Sequence, residues 1–397
     1  MAVHARTRLL AAPVADRRTS PADSAGHRAG AALVPTLGVE EEFLLVDPAT
    51  RTPVARSPEV LAGARGLGGL VQAEFYACQV EVCTEPVRTL PALRTQLLYL
   101  RREVARAAAG ARCQVVASGC PPLAATMPIP VTDTPRYRLM ARHFGAMADC
   151  RTGAVCGCHI HLGVRDRAEA LQLSAHLRPW LPALQALAAN SPVWQGKDTG
   201  HASWRARCWA EWPTVGPAPV LDAAAYEVLA DALVSSGLLL DRRMIYWFAR
   251  PSEHVPTLEV RIADVSADAD TTVLLAGLVR GLVARLRRDV REGRQAPVVS
   301  DALLRAAHGC AARAGLSGQG LDPLSGRPAS LRHLLDRLVD HARPGLTAAG
   351  DLDAVTALLK RTLRAGTGAD RQRAALGRFG RAEDIVDSLA DAFTRPA

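Results

Sequence analysis

The apolar positions are most concentrated in residues 36–46, which are dense in β-branched and apolar side chains and predict a β-strand. Asp47 and Pro48 close this stretch as a turn. Successive side chains of a strand point to opposite faces, so Glu40 and Glu42 share one face. The pattern therefore predicts a strand that carries two carboxylates on the same side.

Two later stretches show the same two-residue period. Residues 78–84 predict a strand in which Glu81 shares a face with Gln79 and Cys83. Residues 155–164 predict another, with one face formed by Gly157, His159, His161 and Gly163. Two imidazoles beside small glycines leave room for a ligand to approach the backbone. For this pair of histidines, a structural role and a ligand-binding role are equally supported.

A three- and four-residue period appears between these strands. It joins Leu90, Leu93, Leu97, Leu100 and Val104, and it predicts a long amphipathic helix. Further strands are predicted at 114–118, 246–250 and 256–264, and helices from residue 270 onward. In the last of these strands, Glu259 and Arg261 share a face although the rest of the strand is apolar.

Two long segments lack either period and predict loops. Residues 119–135 are rich in Pro. Residues 190–213 gather Trp, Arg and Lys around Gly and include Arg205. Such a composition is more typical of a binding surface than of a spacer. No internal repeat and no glycine-rich phosphate loop of the Walker or Rossmann type occurs in the sequence.

The first 34 residues form a separate region with no apolar periodicity. They are rich in Ala, Arg, Pro and Ser, and we predict a disordered extension followed by a single domain over residues 35–397. Arg17 and Arg18 resemble a twin-arginine signal, but the segment after them is polar. The sequence therefore predicts that the protein is not exported and that it works in the cytoplasm.

Composition narrows the function classes. Of 397 residues, 49% are hydrophobic and 22% are charged, which is enough apolar surface for a large core. The net charge of +9 comes from Arg, since Lys occurs only at Lys197 and Lys360. Arg-rich and Ala-rich usage does not by itself indicate nucleic-acid binding, and the charge suits an anionic small molecule such as a nucleotide. The nine Cys show no paired spacing and predict reduced thiols, and no apolar run is long enough to predict a membrane span.

The carboxylates on strand-like stretches carry the candidate chemistry. Glu40 and Glu42 on a strand buried on both faces would repel each other unless a cation lay between them, and a hard divalent metal ion is the simplest such cation. A solvated edge strand is the alternative for an isolated run of glutamates, and for Glu81 an exposed face is as well supported as a function. The additional oxygen and imidazole ligands elsewhere in the chain favour the metal site.

Four ordered blocks together are similar to one protein family. They are GVEEEF at residues 38–43, GCHIH at 157–161, ANSP with QGKDTG at 189–192 and 195–200, and LEVRIAD at 258–264. They resemble the bacterial carboxylate–amine ligase branch of the glutamate–cysteine ligases, over about residues 35 to 373. The resemblance implies an α+β, glutamine-synthetase-like fold, in which an antiparallel sheet forms a funnel-shaped site with helices packed on its outer face. It also implies ATP and two or more Mg²⁺ or Mn²⁺ ions.

The resemblance further assigns roles to individual residues. Glu40 and Glu42 match the first metal-binding strand, and Glu81 matches the carboxylate of the second. His159 matches a position near metal and nucleotide. The last block places Glu259 on the metal and Arg261 near the phosphates as the catalytic pair, and Arg205 is implied as an anion contact.

The implied reaction is an ATP-dependent ligation. The γ-phosphoryl group moves to a substrate carboxylate, glutamate first, and the acyl phosphate is attacked by an amine, either cysteine or another. Such a site needs metal-bound carboxylates and cationic side chains but no covalent nucleophile. The amine pocket is predicted near Asp198 and Trp204, and a homodimer is the expected assembly. The alternatives are a guanido-kinase-like phosphotransferase and a non-catalytic nucleotide-binding descendant.

Overall fold

An antiparallel sheet forms the centre of the part of the chain that the computed structural model describes, residues 34–145 and 154–395. The strands of these residues are β1 (Leu37–Val46), β2 (Val71–Ala73), β3 (Gln79–Cys83), β4 (Gln114–Val116), β5 (Gly157–Gly163), β6 (Val193–Trp194), β7 (Lys197–Asp198), β8 (Ala249–Pro251), β9 (Thr257–Asp264), β10 (Gln319–Leu321) and β11 (Pro328–Ser330). The order along the sheet is β2-β3-β1-β5-β9-β8, and β4 pairs with β1. Strands β6 and β7 form a separate hairpin, as do β10 and β11.

Strand β1 is the central strand and sets the register of the site. It pairs with β3 on one side and with β5 on the other. The register places Glu42 opposite Glu81, and Glu40 opposite both Cys83 and His159. Opposite residues of neighbouring antiparallel strands project to the same face. The predicted sharing of a face by Glu40 and Glu42 is thus confirmed.

The helices of the described residues are α1 (Ser57–Gly63), α2 (Leu90–Gly110), α3 (Pro135–Phe144), α4 (Arg167–Leu177), α5 (Leu181–Leu187), α6 (Trp204–Trp209), α7 (Ala223–Ser235), α8 (Ala269–Arg291), α9 (Asp301–Ala314), α10 (Leu331–Ala349), α11 (Leu352–Ala365), α12 (Gly368–Phe379) and α13 (Ala382–Phe393). The side chain of Thr89 caps α2, and that of Asp268 caps α8 by accepting the Thr271 N–H at 2.8 Å. Helix α10 packs closely on α8, because a Cβ at Gly345 would lie 1.9 Å from the carbonyl oxygen of Gly281.

Helices α2 and α8 cover the face of the sheet opposite Glu40 and Glu42. The apolar side chains of β1 on that face, Leu37 and Val39, belong to one buried cluster with Leu97 of α2 and Leu274 of α8. The predicted apolar stripe of α2 is therefore its core-facing side. The predicted arrangement of helices on the outer face of an antiparallel sheet is confirmed.

The segment 190–213 differs from the predicted loop. It contains the β6–β7 hairpin and helix α6. Gln195 and Gly196 both have positive φ, as the two-residue turn of such a hairpin requires. Ser203 caps α6 by accepting the Ala206 N–H at 3.2 Å. These elements are too short to show a period, so local caps and turns decide the structure here.

Other predictions differ in their bounds or lie outside the description. The strand predicted at 246–250 begins later, as β8 at Ala249–Pro251, because Trp247 forms a bridge with Gly216 in place of pairing with the sheet. The predicted disordered extension falls almost entirely on residues 1–33, which are outside the described residues. Within residues 34–145 and 154–395, no helix combines the length and apolar character needed to cross a membrane.

Candidate active site

Carboxylates from three strands and a loop, together with histidines of β5, converge on the face of β1 that α2 and α8 do not cover. Their ligand atoms form three overlapping groups, and within each group all of the atoms lie within 4.8 Å of one another. The groups are Glu40 with His161 and Glu259, Glu40 with Glu81 and Cys83, and Glu42 with Glu74 and Glu81. The structure thus brings together all four of the glutamates that the sequence singled out.

His159 lies at the middle of the carboxylates. Its Nδ1 is 3.1 Å from Glu40 Oε2, and its Nε2 is 3.7 Å from Glu42 Oε1. The Nε2 of His161 is 3.2 Å from the other oxygen of Glu40. Burial raises the pKa of Glu40, but the hydrogen bonds from His159 and His161 outweigh it and lower that pKa overall. Burial lowers the pKa of His159, so its ring favours the neutral form, which can bind a metal.

Glu259 is the carboxylate with cationic partners. Arg250 Nε donates to its Oε2 at 2.8 Å, and Arg261 forms an ion pair with its Oε1. Burial opposes ionisation of Glu259, but the charges of Arg250 and Arg261 outweigh this and hold its pKa well below the usual range. Glu259 is therefore ionised and fixed in orientation.

Arg261 is held between aromatic rings at one side of this cluster. Its guanidinium lies 5.8 Å from the centre of the Trp209 ring and 5.7 Å from that of Tyr246. Among the described residues, its Nε has no hydrogen-bond partner. A buried guanidinium with a free donor suits a phosphate or carboxylate oxygen of a ligand.

Arg205 lies on helix α6 and is next to Arg261 of strand β9. Its Nη2 donates to the Arg261 carbonyl oxygen at 3.3 Å, and its guanidinium lies 4.7 Å from the Trp209 ring centre. A Cβ at Gly157 would lie 2.4 Å from Arg205 Nη2. The glycine was predicted to leave room for a ligand near the backbone, but in the structure Arg205 takes that space. Within the described chain, its Nε and Nη1 make no hydrogen bond.

Asp264 holds the elements around Arg205 together. It accepts hydrogen bonds from the Asn190 N–H at 2.8 Å, the Ser191 hydroxyl at 2.7 Å and the Ser203 hydroxyl at 2.8 Å. Asp264 ends β9, and the other three residues all lie within the 190–213 segment. One buried carboxylate thus fixes helix α6 against the sheet.

A cavity of about 90 Å³, open to solvent, lies over the cluster. Its lining includes four residues that the sequence predicted to be in the site, namely Glu42, His159, Arg205 and Arg261. Asp198 is placed elsewhere, in an ion pair with Arg373 whose Nε–Oδ2 distance is 2.9 Å, and neither Asp198 nor Trp204 lines this cavity. The predicted amine pocket near those two residues thus stays a prediction.

Sequence reasoning missed several residues of the site. Glu74 lies in the loop between β2 and β3, and its signal was a single carboxylate followed by Phe75 and Tyr76, which predict a buried segment. Trp209 and Tyr246 line the cavity but were not assigned to it. Their contribution depends on long-range contacts, for which the sequence has no local signal.

The acidic side of the cluster lacks compensating charge. Burial, and then the charge of Glu42, raise the pKa of Glu74 to about 8. Burial and the neighbouring carboxylates also raise the pKa of Glu81 well above its usual value. Among the described residues, Glu81 forms no ion pair with Arg, Lys or His. Clustered carboxylates of this kind fit hard divalent cations such as Mg²⁺ or Mn²⁺.

Comparison with known proteins places this geometry in a family. A protein of Saccharopolyspora erythraea named "Putative glutamate–cysteine ligase 2-1" is 48% identical over 355 residues, which cover 89% of this chain and 93% of that protein. The crystal structure of a glutamate–cysteine ligase from Francisella tularensis in complex with AMP superposes with a TM-score of 0.67 at 13% identity, over 91% of this chain and 90% of that one.

A second solved structure shares the fold. It is a bifunctional glutathione synthetase from Pasteurella multocida, with a TM-score of 0.68 at 14% identity over 94% of this chain and 54% of that one. The predicted glutamine-synthetase-like fold is thus confirmed. The profile of glutamate–cysteine ligase family 2 matches residues 36–390, which contain all of the site residues described above. The chain therefore belongs to glutamate–cysteine ligase family 2.

Proposed function

We propose that this protein is an ATP-dependent carboxylate–amine ligase that forms an amide bond through an acyl phosphate. The observation that carries the proposal is the convergence of Glu40, Glu42, Glu81 and Glu259 on one face of the sheet, beside a cavity that Glu42 and the largely buried Arg261 line. Membership of glutamate–cysteine ligase family 2 supports the same reaction class. The arrangement provides sites for cations and for anionic oxygens side by side.

The carboxylate side suits divalent metal ions. Glu40, Glu42, Glu81 and Glu259 are hard oxygen donors, and His159 can add an imidazole nitrogen. Bound Mg²⁺ or Mn²⁺ would neutralise phosphate oxygens and stabilise the charge that develops during transfer. The role of the protein is to hold the four carboxylates at fixed positions on paired strands.

The cationic side suits the phosphoryl group that is transferred. Arg261 has a free donor and is kept in place by Glu259, Trp209 and Tyr246. Beside it, Nε and Nη1 of Arg205 make no hydrogen bond within the described residues, and Nη1 lies 3.9 Å from Asp264 Oδ1. Donors fixed before the reaction stabilise the transition state without reorganising. We therefore assign Arg261 and Glu259 as the catalytic pair, and Arg205 and His159 as contacts to the nucleotide.

The chemistry requires activation, because the oxygen of a carboxylate is a poor leaving group. The γ-phosphoryl group of ATP is transferred to the substrate carboxylate, and the amine then attacks the acyl carbon and releases phosphate. We propose glutamate as the carboxylate and cysteine as the first amine to test, since the family and the Saccharopolyspora relative carry that name.

Hydroxylamine trapping tests this reaction. With ATP, Mg²⁺ and glutamate, hydroxylamine should intercept the acyl phosphate and give a hydroxamate in step with ADP release. Arg261→Ala should lower trapping by about 100- to 1000-fold, as the loss of other preorganised donors does. The matched control is Arg242→Ala, because Arg242 pairs with Glu227 and Asp231 outside the cavity. It should trap like the unaltered protein.

Other products would contradict the proposal in defined ways. Release of AMP and pyrophosphate would indicate an adenylate in place of an acyl phosphate. A stable phosphorylated amine or guanidine with ADP would indicate a guanido-kinase-like phosphotransferase. Binding of ATP without any turnover over a panel of carboxylates and amines would indicate a nucleotide-binding protein.

A further inference from the structure

Cys83 lies next to the carboxylates of Glu40 and Glu81 at one edge of the acidic cluster. On β3 it follows Glu81 by two residues, and across the strand pair it lies opposite Glu40 of β1. Glu81 lies opposite Glu42 in the same register. Directly opposite residues of an antiparallel pair have Cβ atoms about 4.5 to 5.5 Å apart. The face therefore carries a two-by-two arrangement of three carboxylates and one thiol.

The thiol is within coordinating reach of two of these carboxylates. Cys83 Sγ donates to Glu81 Oε1 at 3.4 Å, and the ligand atoms of Cys83, Glu81 and Glu40 all lie within 4.8 Å of one another. Metal–ligand bonds of about 2.0 to 2.3 Å allow two ligand atoms to be about 4.6 Å apart across an ion. Small side-chain rotations are therefore enough for all three to bind one ion.

Two further observations favour a cation at this edge of the cluster. Within the described part of the chain, Glu81 has no cationic partner, whereas Glu259 has two. The described chain places one thiol in a group of this kind, and that thiol belongs to Cys83. Cys83 is also partly exposed, so an ion can reach it from solvent.

We propose that Cys83, Glu40 and Glu81 form a binding position for a thiophilic divalent cation of the Zn²⁺ type. When the ion binds, a sulfur–metal bond replaces the S–H bond, and the proton that Cys83 shares with Glu81 is released to solvent. A sulfur donor favours Zn²⁺, Co²⁺ and Cd²⁺ over Mg²⁺. The groups around Glu42 and Glu259 offer oxygen and imidazole donors instead.

This position has a consequence for the site as a whole. Glu40 and Glu81 are shared with the two neighbouring groups, so an ion held by Cys83 withdraws two carboxylates from the ions proposed for catalysis. Zn²⁺ should therefore compete with the metal ions of the ligase. The binding itself does not depend on ligase activity, because it is measured on the protein alone.

Cobalt spectroscopy tests the proposal. Co²⁺ titrated into the metal-stripped full-length protein should produce a thiolate-to-cobalt charge-transfer band, which Zn²⁺ removes and excess Mg²⁺ does not. Cys83→Ser should lack the band and bind Zn²⁺ about tenfold or more weakly, since even partners outside the ligand shell are worth this much. The matched control is Cys310→Ser, which alters a partly exposed thiol on helix α9 and should keep the band.

A second measurement uses the unaltered protein, so it is independent of how the variant folds. Alkylation by iodoacetamide, mapped by mass spectrometry, should be slowed by Cd²⁺ at Cys83 and not at Cys310. A band that persists in Cys83→Ser, or the absence of both the band and the protection in the unaltered protein, would overturn the proposal. Failure of the ligase proposal is seen separately, in the hydroxamate assay.

Discussion

Glutamate side chains lie in opposite environments on the two faces of strand β1. On the helix-covered face, Glu41 is fully buried and forms an ion pair with Arg101, whose Nε and Nη2 donate at 2.9 and 2.5 Å. The Thr272 hydroxyl donates a third hydrogen bond at 2.6 Å. On the open face, Glu40 and Glu42 are surrounded by further carboxylates. One run of three glutamates therefore serves both the core and the cavity.

The difference separates structure from function. Arg101 lies between the rings of Phe43 and Phe393 and also donates to the carbonyl oxygen of Ser266 at 2.9 Å. The charges of Glu41 and Arg101 match each other, so the role of this pair is to join the sheet to helix α2. The open face keeps like charges together, an arrangement that is unfavourable until a cation binds. Unmatched charge at Glu74 and Glu81 therefore distinguishes the face that carries the proposed site.

The largest effect is expected on stability, when one partner of the Glu41–Arg101 ion pair is removed. Arg101→Met should lower the free energy of unfolding by about 3 to 5 kcal/mol, because it leaves Glu41 buried without its counter-charge. Urea unfolding followed by circular dichroism measures this.

The double variant Glu41→Leu with Arg101→Met is the control, since removing both charges avoids the unpaired carboxylate and should recover most of the loss. An Arg101→Met protein as stable as the unaltered one would contradict a structural role for the pair.

The next effect concerns the open face. Each of Glu40→Gln, Glu42→Gln, Glu81→Gln and Glu259→Gln should lower turnover by about 100-fold, or about 2.7 kcal/mol, since each removes a charge that would hold the proposed metal ions. The melting temperature without metal should change little, except in Glu259→Gln, which leaves Arg250 and Arg261 without their counter-charge and should lower it. Glu41→Gln, on the same strand, should show the reverse: a lower melting temperature at any metal concentration. Near-normal turnover in two of the four variants would argue against one metal cluster.

The smallest effect is a pH dependence of the stability of the metal-free protein. The pKa of Glu74 is raised from 4.5 to about 8, so the folded state binds more protons than the unfolded state between these values. This contribution to stability is present below about pH 4.5 and is lost as the pH rises towards 8. We expect about 1 to 3 kcal/mol, less than the full shift implies, because Glu74 keeps some contact with solvent.

The free energy of unfolding, measured from pH 5 to 8 in the presence of a chelator, gives the slope of stability against pH. Glu74→Gln should flatten it, and saturating Mn²⁺ should do the same by favouring the ionised carboxylates. A slope that Glu74→Gln leaves unchanged would mean that other groups of the cluster bind the extra protons.

The comparison also shows how far the sequence alone could lead. Two-residue alternation was enough to place Glu40 with Glu42, and Glu259 with Arg261, on common faces. It could not show that Glu42 would lie opposite Glu81, because the order of the strands is set by pairing between distant segments. The blocks shared with the family supplied that connection.

Other parts of the site had weaker signals. Arg205 was placed in a loop, but a six-residue helix capped by Ser203 carries it into the cavity. Glu74 was missed because a loop carboxylate has no periodicity to interpret. Glu41 belongs to the same run of glutamates as Glu40 and Glu42, and only the position of Arg101 on α2 shows that its side chain lies in the core.

The central strand also limits how its gene can change. Deleting one codon from the run of glutamates while Phe43 keeps its place would bring Val39 into the position of Glu40. Every residue before it would then turn to the other side, so that Gly38 would enter the core and Leu37 would face the cavity. An inserted codon would have the same effect. A substitution changes one side chain, whereas an insertion or deletion turns a whole run of side chains to the wrong face. We therefore expect the length of this strand to be preserved in evolution more strictly than any one of its residues.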